Sequence, residues 1–283
     1  MAKGYTIRAR LKTVSKEQQV ELTNKVVVIT GAGSGMGREI ALELARRKAK
    51  LALVDFRAET LKETANLVSE LGATCSTHTL DVSDADAVSK LPNEVSKAIG
   101  EADVLVNNAG IIQPFVKVND LSMKDAMHVM NVNFTGPLML TKAFLPGLLN
   151  RPEAHILNVS SMGAYAPVPG QSVYGASKAA IKLFTEGLRS ELLNTKVGVT
   201  IVFPGAVATN IATNSGMTMT ASEESNFPTT KADVAAKLMV DAIAKNKPRL
   251  VIGKDAKTMD ILSRINPVYA AKLIYKQMAS LLK

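Results

Sequence analysis

Short apolar runs alternate with longer stretches of helical spacing along most of the chain. Seven runs predict strands: residues 25–30 (KVVVIT), 50–55 (KLALVD), 74–80, 103–106 (DVLV), 155–159 (HILNV), 197–203 (VGVTIVF) and 249–252 (RLVI). Between them, residues 38–48, 59–71, 85–99, 123–149, 173–194 and 231–245 carry apolar positions three and four apart, the spacing of an amphipathic helix. Most of the strands are apolar on both faces, so each face must be covered by helices, as in a parallel sheet. Strand and helix in regular alternation predict an α/β fold: a Rossmann-type, doubly wound, seven-stranded parallel sheet in a single domain. In such sheets ligands bind beyond the carboxyl ends of the strands, which makes the residues just after each strand the candidates for function.

Three parts fall outside this rhythm. Residues 1–23 form a basic N-terminal arm ahead of a catalytic domain over 24–255. Residues 208–230 are rich in Thr, Ser, Asn and Met, lack periodicity, and read as a substrate lid. Residues 256–283 form a basic C-terminal extension. Within it Val268, Ala271, Ile274, Tyr275, Met278, Leu281 and Leu282 make one apolar stripe, with Lys272, Lys276 and Lys283 away from it. That helix would dock on the body or on a sister subunit, or make peripheral contact with a membrane.

Composition narrows the classes. The 283 residues are 47% hydrophobic and 21% charged, which fits a folded globular chain. The single cysteine, Cys75, excludes an intrachain disulfide and fits a reducing compartment. Three separated histidines, His78, His128 and His155, have no ligand spacing, so no metal site is expected. The net charge of +9 is not spread evenly. Residues 1–25 hold six Lys/Arg against two Asp/Glu, and residues 245–283 hold nine against two, while the body between them carries 19 against 21. With no Trp and 4% aromatic residues, nucleic-acid stacking platforms are not supported. No run approaches a membrane span, the start lacks the apolar core of a secretory signal, and a cytoplasmic location is expected.

The first strand ends in Thr30-Gly31-Ala32-Gly33-Ser34-Gly35-Met36-Gly37 and a helix follows. Glycines there permit a tight turn and close approach of a phosphate to the helix N-terminus. Gly31, Ser34, Gly35, Met36 and Gly37 are therefore cofactor-binding candidates. Asp55 ends the second strand, where a carboxylate can accept hydrogen bonds from an adenosine ribose. By itself Asp55 is equally a helix cap or turn residue; joined to the loop, it favours ribose binding. A 2′-phosphate would be repelled there, so NAD(H) is favoured, with NADP(H) kept open by Arg57.

Tyr174 and Lys178 stand four apart on a predicted helix and so share a face. A nearby ammonium favours a phenolate and tunes the phenol for proton transfer. Spacing alone favours a plain surface Tyr/Lys pair. Taken in order, the glycine loop, Asp81-Val82, Asn107-Asn108-Ala109-Gly110, Ser160-Ser161, Tyr174 to Lys178 and Pro204-Gly205 all fall at strand ends or in the helices after them. In these motifs the sequence resembles the short-chain dehydrogenase/reductase family, in the branch with a TGxxxGxG loop and a YxxxK pair, over about residues 24–255. The resemblance implies catalysis by Asn133, Ser161, Tyr174 and Lys178. Ser161 rather than Ser160 matches through its thirteen-residue spacing to Tyr174, and Asn133 matches an asparagine that holds a relay water, with Asn131 nearby. It also implies cofactor contacts at Asp81, Val82, Asn107, Tyr174, Lys178, Val207 and Thr209, and a homodimer or homotetramer.

The implied reaction is hydride transfer between a nicotinamide cofactor and a small-molecule alcohol or carbonyl substrate. The loop from Met162 to Pro169 and the lid residues Met217, Met219 and Phe227 are mostly apolar, which favours a secondary alcohol or ketone with an apolar body. Two other classes share the same features: a dinucleotide sensor without turnover, and a membrane-associated adaptor resting on the basic ends.

Overall fold

The structure, a computed structural model, describes residues 20–166, 168–209, 211–215 and 229–278. Most of the N-terminal arm, the lid residues Met217, Met219 and Phe227, and the terminal Leu281, Leu282 and Lys283 lie outside the described residues. All seven expected strands are present: β1 (Val26–Thr30), β2 (Lys50–Asp55), β3 (Cys75–Thr79), β4 (Val104–Asn107), β5 (Ala154–Val159), β6 (Val197–Pro204) and β9 (Arg249–Ile252). They form one parallel sheet in the order β3-β2-β1-β4-β5-β6-β9. The order reverses between β1 and β4, which opens a crevice at their carboxyl ends.

Alternate strand residues face opposite layers. Val27, Ile29, Leu51 and Leu53 bury against Ile40 and Leu44 of α1 (Gly35–Arg46) and Leu61 of α2 (Ala58–Glu70). Met239 and Ile243 of α8 (Ala232–Ala244) join that layer. Val26, Val28, Ala52 and Leu105 bury on the other side, against Leu91 of α3 (Ala85–Ile99), Phe144 of α5 (Gly136–Leu149) and Leu188 of α6 (Ser172–Glu191). The edge strand β3 is only partly covered, and Cys75 in it is half-buried.

The predicted helix 123–149 is interrupted. It consists of α4 (Met123–Met130), a π turn at Asn131–Thr135, and α5. The wide turn holds Asn133 inward, and such turns gather at functional positions. Beyond β6, β7 (Val207–Ala208) pairs in parallel with β8 (Thr230–Lys231), closing the base of the expected lid. A short helix α7 (Ile211–Asn214) follows β7.

The C-terminal extension is a pair of helices, α9 (Lys254–Ile265) and α10 (Pro267–Met278). The expected division after residue 255 falls inside α9. Asp255 accepts a hydrogen bond from the Ala206 N–H at 2.7 Å, so α9 is tied to the end of β6. The apolar stripe predicted for the last helix splits: Ile274 is buried and Ala271 half-buried, while Val268 and Tyr275 face solvent. Among the described residues, no helix is long and apolar enough to cross a membrane.

Candidate active site

The glycine loop takes its shape from close packing. Gly31 has φ of 68°, a left-handed conformation that a side chain would strain. A Cβ at Gly37 would collide with the Gly31 carbonyl oxygen. The helix begins at Gly35, earlier than its apolar periodicity suggests. Asn108 holds the loop from below, donating through Nδ2 to the Thr30 carbonyl at 3.0 Å. Thr30 in turn receives the Asn108 and Ala109 N–H groups on its hydroxyl.

Asp55 is buried beside this loop. Its Oδ2 accepts from the Gly33 N–H at 2.9 Å and its Oδ1 from the Arg57 N–H at 3.1 Å. The Arg57 guanidinium reaches Ser34 Oγ at 3.2 Å and Asn214 Oδ1 at 2.7 Å, while its Nε is buried with no hydrogen-bond partner among the described residues. Asn214 Nδ2 also donates to Ser34 Oγ, and the Ile112 N–H donates to Ser215 Oγ. Residues 214 and 215 thus touch both walls of the crevice. Thr209 lies against Gly35.

The other expected cofactor positions are distributed around this edge. Asp81 is exposed and accepts from Ser83, and Val82 is buried against Gly136. The Asn107 side chain is buried in the fold, where its Nδ2 donates to Asn158 Oδ1 at 2.8 Å, while its Oδ1 has no hydrogen-bond partner among the described residues. Asn158 passes the chain on to Thr185 of α6 at 2.8 Å, which locks α6 to β4 and β5.

Tyr174, Lys178 and Ser161 converge at the ends of β5 and α6. Ser161 Oγ accepts from the Gly163 N–H at 3.1 Å, which leaves its own proton free to donate. Ser160, by contrast, is buried and spends its hydroxyl on the Lys178 carbonyl at 2.7 Å. A Cβ placed on Gly163 would sit 3.2 Å from the Tyr174 ring and 3.5 Å from Ser161 Oγ, so this small residue lets both approach. Burial pushes the Tyr174 phenol above its ordinary range, and hydrogen bonding with Ser161 opposes that. Lys178 is buried with one hydrogen bond, from Nζ to the Val159 carbonyl at 3.1 Å, and Nζ lies 5.9 Å from the Tyr174 ring centre. No carboxylate pairs with it among the described residues. Burial lowers the Lys178 pKa to about 8.

Asn133 is buried next to this group. It donates to the Ile111 carbonyl at 2.9 Å and Ser177 Oγ at 3.0 Å, and accepts from the Ile111 N–H at 2.9 Å. Both of its side-chain atoms are used inside the fold.

Sequence reasoning missed Gln113. It is fully buried, and its Oε1 accepts from the Val173 and Tyr174 N–H groups at 2.8 and 2.9 Å. Its Nε2 donates to the Gly170 carbonyl at 2.8 Å. It therefore caps the first turn of α6 from a distant loop, the role a local Ser or Asp usually fills. Its position after Asn107-Asn108-Ala109-Gly110, at the carboxyl edge, was the available signal.

Comparison with known proteins sets this geometry in context. Residues 25–220 match the family model of short chain dehydrogenases. The chain is 39% identical to SadH of Mycobacterium tuberculosis, described as an oxidoreductase, over 85% of this chain and 90% of that protein. It is 32% identical to the rat dehydrogenase/reductase SDR family member 7B, over 92% of this chain and 82% of that one. A short-chain dehydrogenase/reductase from Burkholderia phymatum, solved in complex with NAD, superposes with a TM-score of 0.80 at 28% identity, over 88% of this chain and 96% of that one.

Proposed function

The chain belongs to the short-chain dehydrogenase/reductase family of oxidoreductases, and from that premise we propose that it interconverts a secondary alcohol and a ketone with NAD(H). The observation that carries this reading is the meeting of a phenol, a serine hydroxyl and a buried, unpaired ammonium beside a glycine-rich helix start. The residues fit a dinucleotide on their own terms. The glycine loop leaves a helix N-terminus open to a diphosphate. Asp55 offers a carboxylate for ribose hydroxyls, and Lys178 has two ammonium protons with no partner among the described residues. Gly31, Ser34, Gly35, Met36 and Gly37 would hold the diphosphate end. Asp81, Val82, the Asn107 backbone, Val207 and Thr209 would line the rest. When bound, the nicotinamide supplies the hydride acceptor or donor.

The chain's own residues handle the proton. Tyr174 takes it from the alcohol oxygen in oxidation and returns it to the carbonyl oxygen in reduction. Lys178 favours the phenolate through its charge. Ser161 donates a hydrogen bond to the oxygen as negative charge grows there. Because the Asn133 side chain is fully engaged, its part in a proton relay would run through its main chain. Gln113 acts as a positioning residue by fixing the turn that carries Tyr174.

A second cofactor remains in play on one observation. The Arg57 Nε–H is buried with no hydrogen-bond partner among the described residues, though it lies 3.9 Å from Asp55 Oδ1, and a 2′-phosphate reaching it would make NADP(H) the alternative. The largely apolar loop after Ser161 supports an apolar substrate. Exposed Met123 and Met127 on α4 and Leu183 on α6 support a homo-oligomer, and a cytoplasmic setting fits the single thiol.

Nicotinamide absorbance with NADH and NADPH, against ketones graded in size and polarity, tests the reading, with Tyr174→Phe as control. Turnover with NADH that depends on Tyr174 is expected. Tight NADH binding with no Tyr174-dependent turnover of any alcohol or ketone would overturn it in favour of a sensor.

A further inference from the structure

Helices α9 and α10 are held to the body by a small apolar contact. Met259, Ala270 and Ile274 bury against Ala166, with Tyr165 and Leu262 packed around them. Their outward faces differ in character. Every residue of the connecting corner, 264–269, is exposed. Ile265 is 78% exposed, Val268 64% and Tyr269 55%. Ile261, one turn before Ile265, and Tyr275, seven residues after Val268, are also exposed. Single exposed apolar residues are ordinary, but this many on one corner mark an interaction surface.

The same face is basic. Lys254, Lys257, Lys272 and Lys276 are exposed. The two acids of this region are engaged elsewhere: Asp255 holds the Ala206 N–H, and Asp260 pairs with Arg249 at 2.8 Å and with Arg264 at 3.0 Å. Val268, Lys272 and Tyr275 follow one another at helical spacing, so apolar, basic and aromatic groups share one stripe of α10. A cavity of about 480 Å³ opens between α10 and the loop before α6, lined by Val168, Pro169, Ala271 and Tyr275, with Lys272 and Lys276 also on its wall.

We propose that this corner docks on an anionic lipid surface. Ile265, Val268 and Tyr269 enter the boundary between headgroups and acyl chains, and Lys272 and Lys276 meet the phosphates. Charge complementarity argues for an anionic occupant, because Lys254, Lys257, Lys272 and Lys276 form no ion pair among the described residues. Val168 and Pro169 belong to the segment joining Ser161 to Tyr174, so docking also sets lipid beside the wall of the proposed substrate pocket. That consequence rests on the function proposed above, whereas the docking itself does not.

The test is flotation of the full chain with vesicles of phosphatidylcholine alone or mixed with phosphatidylglycerol. Binding to the anionic vesicles only, reversed by high salt, is expected. Lys272→Ala with Lys276→Ala should weaken it about thirtyfold, from the usual contribution of a lysine near a charged bilayer. Ile265→Ser with Val268→Ser should weaken it as well. These side chains are exposed, so the thermal midpoint should stay that of the parent, confirming the fold without reference to activity. Absence of flotation in the parent, or equal flotation of parent and variants, would overturn the proposal. So would a drop in oligomer size in the variants by light scattering, which would assign the face to a second copy.

Discussion

The carboxyl edge of the sheet and the C-terminal helix pair divide the work of this molecule between them. At the edge, polar groups are buried and almost all are matched: Gln113 to the first turn of α6, Asn133 to Ile111, Asn158 to Thr185. Buried networks of this kind hold side chains in one arrangement, which proton transfer requires. The exceptions are Lys178, a charge buried at a cost in stability, and the Arg57 Nε–H and the Asn107 and Asn108 amide oxygens, unmatched among the described residues. In the helix pair the balance is reversed. Few residues are buried, apolar groups face water, and the ion pairs are partly solvated. The first region keeps a geometry, and the second is the one proposed to meet another surface.

Substitutions can break that division. The largest effect should come from Tyr174→Phe, which removes the transferable proton and should lower kcat by about 10²–10⁴ with NADH affinity and thermal midpoint nearly unchanged. Retained turnover would remove the edge from the comparison altogether.

Core truncations come next. Leu105→Ala, in the fully buried centre of β4, should cost about 3–5 kcal/mol of global stability by urea unfolding. Ile274→Ala in α10 should cost about 2 kcal/mol, and hydrogen exchange should rise in α9 and α10 alone. A global effect of equal size would show the pair to be part of the main cooperative unit.

Gln113→Ala should cost about 2–3 kcal/mol, because it strips the acceptor from two N–H groups inside the fold. It should lower kcat more than it raises KM. Gln113→Glu keeps an acceptor at a helix N-terminus and should recover part of kcat, an outcome a purely packing role would not give.

Lys178→Met should abolish turnover yet stabilise the ligand-free protein. The folded pKa of about 8 lies below the ~10.4 of an unfolded lysine. Below pH 8 both states are protonated and the full cost of the buried charge, about 1–3 kcal/mol, is present. Between pH 8 and about 10 the folded state releases its proton first and the cost fades. The variant's advantage in denaturant midpoint should therefore be largest at pH 7 and shrink as pH rises through that window. A constant advantage would point to packing rather than charge.

Much of this was legible in order along the chain. A strand apolar on both faces can be satisfied only in a covered parallel sheet, so KVVVIT and HILNV announced the sheet by themselves. The glycine loop and the four-residue step from Tyr174 to Lys178 are local patterns, though only the company of the other motifs sets that pair apart from a surface one. Gln113 was not legible, since its partners lie sixty residues away. The π turn was hidden because one extra residue hardly disturbs apolar periodicity over residues 123–149.

The sequence alone determined the layered α/β architecture, the edge on which chemistry would gather, and the basic character of both ends, because backbone pairing, side-chain period and net charge are sums over near neighbours. Tertiary structure decided which of two adjacent serines keeps a free proton, and which glutamine caps the helix that carries Tyr174. It also decided which half of the C-terminal apolar stripe is buried. Each of those outcomes depends on contacts between distant segments, and burial, unlike periodicity, exists only once the chain has closed on itself.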